Sequence, residues 1–242
     1  GCGIIGHKRA ASLGNNRLIA VADTDFERAK SLSDKYPDVY TYTDYKILLE
    51  RKDIDIVIVS TTNNALSSIA LDAINAGKHI IIEKPGAIHY SEFDQLILAS
   101  EEKQVKVKIG YNLRYHPAIR KAIRMSKSGI LGDIMFVRGH YGNGARLGFE
   151  KEWRANKSIS GGGCLIDLGT HLIDLSMSVL GDLSVVSGTT KTYFWNMSVE
   201  DNVFMTLTNS KGNIAHLQVS YTEWKNTFSF EIYGKKGKLK ID

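Results

Sequence analysis

With 242 residues, 43% of them apolar and 24% charged, the chain is long enough for two modest hydrophobic cores and ordinary in composition for a globular protein. The net charge of +5 is scattered; its densest cluster, Lys235, Lys236, Lys238 and Lys240, alternates with glycine and apolar residues like the solvated face of a hairpin, which argues against nucleic acid. Only Cys2 and Cys164 are present, which excludes a disulfide scaffold and favours a reducing cytoplasm, and neither a leader nor an apolar run approaching the roughly eighteen residues of a membrane span is seen.

The chain opens inside a glycine motif, Gly1-Cys2-Gly3-Ile4-Ile5-Gly6, with no strand before it. Residues 17–23 read as a strand and 25–36 as a helix capped by Thr24. A short helix at 44–51 precedes a continuous apolar strand at 55–60, and a helix at 64–76 stops at Gly77. A strand at 79–83, a helix at 91–102 with Ser91 as cap, and a strand at 105–111 complete the first half. Strand–helix alternation at this spacing predicts a doubly wound parallel sheet, a Rossmann domain, over residues 1–113.

Beyond that point the rhythm changes. A helix at 117–128, a strand at 134–141 and an amphipathic helix at 164–180 lead into strands at 185–194, 202–208, 214–222 and 228–233. Turn signals at 211–213 and 234–237 separate the last of these, and 238–242 is again strand-like. Residues 114–242 are therefore expected to form an α+β domain with a mainly antiparallel, open-faced sheet. Both ends read as cut, so an unfilled slot is expected beside Gly1–Gly6, with unpaired backbone groups that lower stability.

Three places carry chemistry. In the first, Gly1 and Gly3 would let the backbone turn and approach a pyrophosphate, Gly6 would let the helix pack close, and the amides of Ile4 and Ile5 open the helix. Asp23 ends the next strand, near the spacing expected of a ribose-binding acid. A carboxylate there accepts the ribose hydroxyls of NAD and repels the phosphate of NADP; Thr24 and Asp25 follow where an NADP reader would place Arg or Lys. In the second, Ser60-Thr61-Thr62-Asn63 and Glu83-Lys84-Pro85 each follow a strand and should line the same crevice as the glycine loop; Lys84 is either functional or a solvated strand end. In the third, Gly161-Gly162-Gly163-Cys164-Leu165-Ile166-Asp167-Leu168-Gly169-Thr170-His171-Leu172-Ile173-Asp174, Asp167 and His171 stand four apart on one helix face, above Leu165, Leu168, Leu172 and Leu175. That pair suits acid–base work near neutral pH, or is a local hydrogen bond. Metal ligation is also open on the i, i+4 spacing, but no third or fourth ligand is evident and no metal is expected.

Taken together, the glycine loop, the acid after the next strand, E-K-P, and G-G-G-x-L-x-D-x-G-x-H-x-x-D resemble the Gfo/Idh/MocA oxidoreductase family, as do Gly110-Tyr-Asn-Leu-Arg-Tyr-His-Pro117 and Ser128-Gly-Ile-Leu-Gly-Asp133. Thr62 and Leu66 depart from the T-P-N-x-x-H that many members carry, and neither position is catalytic in the reaction implied. The segment 144–154 is similar to members of nucleotide-sugar and polysaccharide pathways. The resemblance implies a Rossmann domain, a sheet domain that forms a homodimer or homotetramer contact, and Lys84, Asp167 and His171 as the catalytic group. It implies NAD-dependent oxidation of a ring hydroxyl on a sugar, nucleotide-sugar or cyclitol, with His171 held by Asp167 as base and Lys84 donating to the same oxygen. Asn112, Arg114, Trp153 and Arg154 are candidates to grip the substrate, or else structural surface residues. The alternative is a non-catalytic dinucleotide- or sugar-binding regulator of the same superfamily, which could dispense with the three catalytic residues.

Overall fold

The continuous apolar runs at 56–59 and 80–82 form parallel strands, with Val59, Ile80 and Ile82 buried. The computed structural model describes residues 1–242 and divides between Gly110 and Tyr111 into two units, each described separately. Tyr111–Leu113, assigned by sequence to the first domain, belong to the second, where a 3-10 turn at Asn112–Tyr115 packs against two helices of that unit.

The first unit runs α1 (Ile4–Ala10), β1 (Ala20–Ala22), α2 (Phe26–Ser33), β2 (Tyr40–Tyr42), α3 (Tyr45–Leu49), β3 (Ile56–Val59), α4 (Asn63–Asn75), β4 (His79–Ile82), α5 (Ser91–Lys103) and β5 (Val107–Ile109). All pairings are parallel, but they make two sheets, β1–β2 and β3–β4–β5, rather than one continuous sheet. Gly1 and Cys2 lie between their carboxyl ends. Cys2 Sγ donates to the Ala22 carbonyl at 3.5 Å beyond β1, and Ser60 Oγ donates to the Gly1 carbonyl at 2.8 Å beyond β3. Leu66, Ala70, Ala73 and Ile74 of α4 pack with Val59, Ile80 and Ile82 in the larger core. Each fully buried Leu or Ile there is worth about 1.5–3 kcal/mol.

Three local readings need correction. β2 was not anticipated: it is three residues long and half exposed, so it lacks an apolar signature. Helix α2 is capped by Asp25, not Thr24, because the Asp25 carboxylate accepts from the Glu27 and Arg28 amides at 3.0 and 3.3 Å. Ser91 is the first residue of α5 and makes no side-chain cap; the free amides ahead of it, Ile88 and His89, donate to Glu92 instead.

The second unit contains α6 (Pro117–Lys127), β6 (Ile134–Gly142), α7 (Lys157–Ser160), α8 (Thr170–Leu180), β7 (Ser184–Lys191), β8 (Asn202–Thr208), β9 (Ile214–Ser220), β10 (Thr227–Gly234) and β11 (Gly237–Ile241). The six strands follow the order β11-β10-β6-β9-β8-β7, with β6–β9 parallel and every other pair antiparallel. One face packs Val137, Val203, Met205, Leu217 and Val219 with Leu168, Leu172 and Leu175 from the helical side. The opposite face carries a cross-strand row, Thr206, His216, Arg138, Glu231 and Lys240. Strand β7 stops at Lys191, short of the expected 194, because the fully buried Asp201 carboxylate takes the amides of Tyr193, Phe194 and Trp195.

The expected helix at 164–180 is two pieces, a π-turn at Leu165–Gly169 followed by α8. By length and composition alone the stretch Lys157–Leu180 could cross a membrane. Its leucines are the buried centre of the second unit, as in the core helix of a sheet domain.

Candidate active site

The glycine loop is shaped by contacts that only hydrogen allows. A Cβ on Gly1 would sit 2.3 Å from the Ser60 carbonyl oxygen, and one on Gly6 would sit 2.3 Å from the Gly1 carbonyl oxygen. Gly6 therefore permits close packing of α1 on the loop itself rather than on a neighbouring strand. Gly3 differs: nothing lies within 4 Å of its Cβ position, so the space over the start of α1 is open. No side chain caps that start, which leaves the amides of Ile4, Ile5 and Gly6 for an anion.

Asp23 follows β1 and faces this opening. Its Oδ2 accepts from the Cys2 amide at 2.8 Å and its Oδ1 from the Asp25 amide at 3.0 Å. Burial would raise this carboxyl, but the two amides, with Arg28 at 3.3 Å, outweigh it and hold it below the ordinary carboxylate range. An ionised carboxylate with lone pairs to spare is what a ribose diol requires. The residues present thus fit a dinucleotide: an open glycine, free helix amides and a fixed carboxylate. Thr61, Thr62 and Asn63 stand at the opening of α4, with Thr62 Oγ1 bonded to Asn64.

At the end of β4, Glu83 is buried and paired with Arg9 of α1, tying the E-K-P segment to the helix that opens the glycine loop. Its carboxylate is engaged with Arg9. Lys84 is half-buried, and Pro85 follows it through a cis peptide.

The second unit carries Asp167 and His171, the candidate acid–base residues. Gly163 is pressed against Glu200: a Cβ there would lie 1.9 Å from the Glu200 carbonyl oxygen. The Cys164 amide donates to that carbonyl at 3.0 Å, and the Glu200 carboxylate accepts from Gly163 and Leu165 at 2.9 and 3.0 Å, capping the helical run. The π-turn then follows, its wide loop closed by a bond from the Thr170 amide to the Leu165 carbonyl. With more than four residues per turn, positions four apart superimpose more closely than in an α-helix, so Asp167 and His171 share a face. His171 is buried at 6% exposure, with the Tyr111 ring edge-on at 5.9 Å and Tyr141 at 6.3 Å. Burial, followed by the charges of Asp174 and Asp167 respectively, raises the phenols of Tyr111 and Tyr141, so both are neutral near pH 7.

The sequence did not point to Tyr221, whose hydroxyl donates to Asp167 Oδ2 at 2.8 Å across 54 residues of chain. It did not pair Arg114 either. That guanidinium makes a two-pronged contact with the buried Asp174 carboxylate, with Nε to Oδ2 at 2.9 Å. The only available signal was the H-x-x-D spacing, which puts Asp174 one turn beyond His171. Asn112 is exposed in the 3-10 turn, and Arg154 stacks 4.5 Å over the half-buried Trp153 ring.

A parallel α/β unit whose glycine loop fits a dinucleotide, followed by an open-faced sheet unit, is the architecture of the NAD-binding oxidoreductase class. The chain belongs to the GFO/IDH/MocA family: residues 1–111 match the oxidoreductase family with an NAD-binding Rossmann fold, and residues 119–240 match the GFO/IDH/MocA C-terminal domain. It is 26% identical to levoglucosan dehydrogenase of Pseudarthrobacter phenanthrenivorans, over 90% of this chain and 63% of that protein. It is 32% identical to inositol 2-dehydrogenase of Salmonella paratyphi B, over 61% of this chain and 46% of that one. Among solved structures, GenD2 from gentamicin A biosynthesis in complex with NAD matches with a TM-score of 0.93 at 25% identity, covering 100% of this chain and 70% of that one. The chain thus spans about two thirds or less of the relatives it resembles.

Proposed function

We propose that this protein is an NAD-dependent dehydrogenase acting on a ring hydroxyl of a sugar, nucleotide-sugar or cyclitol. The observation that carries the reading is Asp167 and His171 on one face of the π-turn and α8, with the imidazole buried between two tyrosines. NAD, when bound, supplies the hydride acceptor. His171 takes the hydroxyl proton, Asp167 orients the imidazole and stabilises its charged form, and Lys84 donates to the developing alkoxide. Gly3, the α1 amides and Asp23 bind the dinucleotide, with Gly1 and Gly6 shaping the loop and Thr61, Thr62, Asn63, Glu83 and Pro85 lining the crevice. Asn112, Trp153 and Arg154 are the substrate-facing polar groups, and Arg114 supports that side through Asp174.

Substrate class rests on the relatives, whose names include levoglucosan and inositol dehydrogenases. The open sheet face is the contact we assign to a homodimer or homotetramer, and the two buried free thiols suit a reducing cytoplasm. The test is NADH formation by the full chain on a panel of sugars, nucleotide-sugars and cyclitols. Turnover on at least one class, lost in His171→Ala, is expected. NAD binding without turnover on any of them would favour the regulatory alternative.

A further inference from the structure

Tyr221 follows directly on β9 and is 2% exposed. Its backbone is fixed on both sides: the amide donates to the Asp201 carbonyl at 2.7 Å, and the carbonyl accepts from Trp195 Nε1 at 2.9 Å. Its ring stands edge-on to Phe149, with centroids 4.9 Å apart. Asp201 is itself anchored by three loop amides, so the tyrosine is held by a rigid frame. Only its hydroxyl reaches a group of the site, Asp167 Oδ2.

We propose that Tyr221 is a positioning residue for the acid–base pair: its hydroxyl holds the Asp167 carboxylate in place and, through it, sets the proton affinity of His171. This rests on the reading of Asp167 and His171 given above. Burial, then the charge of Asp167 and the bond to it, push the Tyr221 phenol far above its ordinary value, so it is a donor at every working pH. The other ionisable groups around the pair are Tyr111 and Tyr141, whose rings lie 5.9 and 6.3 Å from that of His171, and Cys164 at the head of the π-turn, while Arg154 acts on the Tyr221 phenol. Tyr111, Tyr141 and Cys164 are all raised by burial first and are neutral near pH 7, and Tyr221, also neutral, donates to Asp167 Oδ2. A carboxylate relieved of one donor interacts more strongly with a nearby imidazolium, which raises the affinity of His171 for its proton.

Tyr221→Phe keeps the ring and removes the hydroxyl. In the full chain it should lower kcat/KM about 10–100-fold, mostly through kcat, the range for a hydrogen bond to a charged group. The acidic limb of the pH profile should move up by about 0.5–1 pH unit, and the His171 ring resonances, followed by NMR without ligands, should titrate higher by the same amount. A merely structural tyrosine would lower the melting temperature without moving either midpoint. Tyr221→Phe added to Asp167→Asn should cost nothing further. An unmoved limb and an unmoved His171 titration, beside an Asp167→Asn variant that is crippled, would overturn the inference alone; so would additive losses in the double variant. Near-normal turnover of Asp167→Asn would overturn the reading of the site, and the inference with it.

Discussion

Two carboxylates, one in each unit, are held by opposite means. Asp23 is gripped by main-chain amides of neighbours in sequence or across one loop, with an exposed arginine alongside. Asp167 is held by a phenol that arrives from a distant strand and is itself set in an aromatic wall. Amides belong to the backbone and survive most substitutions, so the first site is robust and its chemistry is that of a fixed acceptor. A side-chain donor can be lost in one substitution, so the second site is tunable, which suits a group whose proton affinity matters. On the function proposed above, binding geometry is written into the backbone of one unit and proton transfer into the side chains of the other.

The sharpest test of that contrast is catalytic. His171→Ala and Lys84→Ala should each lower turnover about 10²–10⁴-fold while NAD titrations remain near those of the parent. Near-parental rates in either would remove that residue from the mechanism. Next comes Gly163→Ala, which drives a methyl group into the Glu200 carbonyl. About 3 kcal/mol is expected, at the top of the overpacking range, or roughly 6–12 °C in melting temperature for a chain of this size. An unshifted transition would mean that the Glu200 segment yields freely.

For the first unit, NAD should be preferred to NADP by about 2–3 kcal/mol, roughly 30–150-fold, because Asp23 loses a charged hydrogen bond and meets a phosphate. Asp23→Ala should abolish most of that preference; if it persists, another group reads the ribose. Acid should separate anchored carboxylates from exposed ones. Burial raises Asp201, but the amides of Phe194, Tyr193 and Trp195 and the Asn202 side chain bring it below its ordinary value. A lowered folded value contributes stability that is complete above about pH 4 and is lost as pH falls through that folded value. Thermal scans from pH 6 to 2 should therefore show an acid-labile component that Asp201→Asn lacks, alongside lower stability of that variant at neutral pH. The smallest effect is expected at Asp25→Ala, about 1 kcal/mol for the lost α2 cap; no measurable change would point to Asp23 or Thr24 taking over the amides.

Much of this was legible in sequence where the forces are local. The apolar runs at β3 and β4, the stop at Gly77 and the helix at Pro117 follow from periodicity and backbone chemistry that neighbours determine. The choice of cap between Thr24 and Asp25 was not, because both residue types cap well and only the backbone angle decides. The π-turn was hidden as well, since its leucines keep helical spacing. The Tyr221–Asp167 and Arg114–Asp174 pairs span 54 and 60 residues and have no local signature. Glu200 against Gly163 is similar: three glycines in a row advertise close approach, but not by what. The candidate site could therefore be named by its motif residues, while the groups that hold them in place could not.

The π-turn also makes the site sensitive to length. Such a turn is an α-helix carrying one residue too many, and the surplus is absorbed between Leu165 and Gly169. Five residues at about 4.4 per turn sweep nearly the same angle as four at 3.6, so removing one residue from that stretch would restore a regular helix with both flanks close to their present orientation. Substitutions along this segment act one side chain at a time, whereas deleting Leu168 or Gly169 would keep both side chains of the pair and bring them from four positions apart to three.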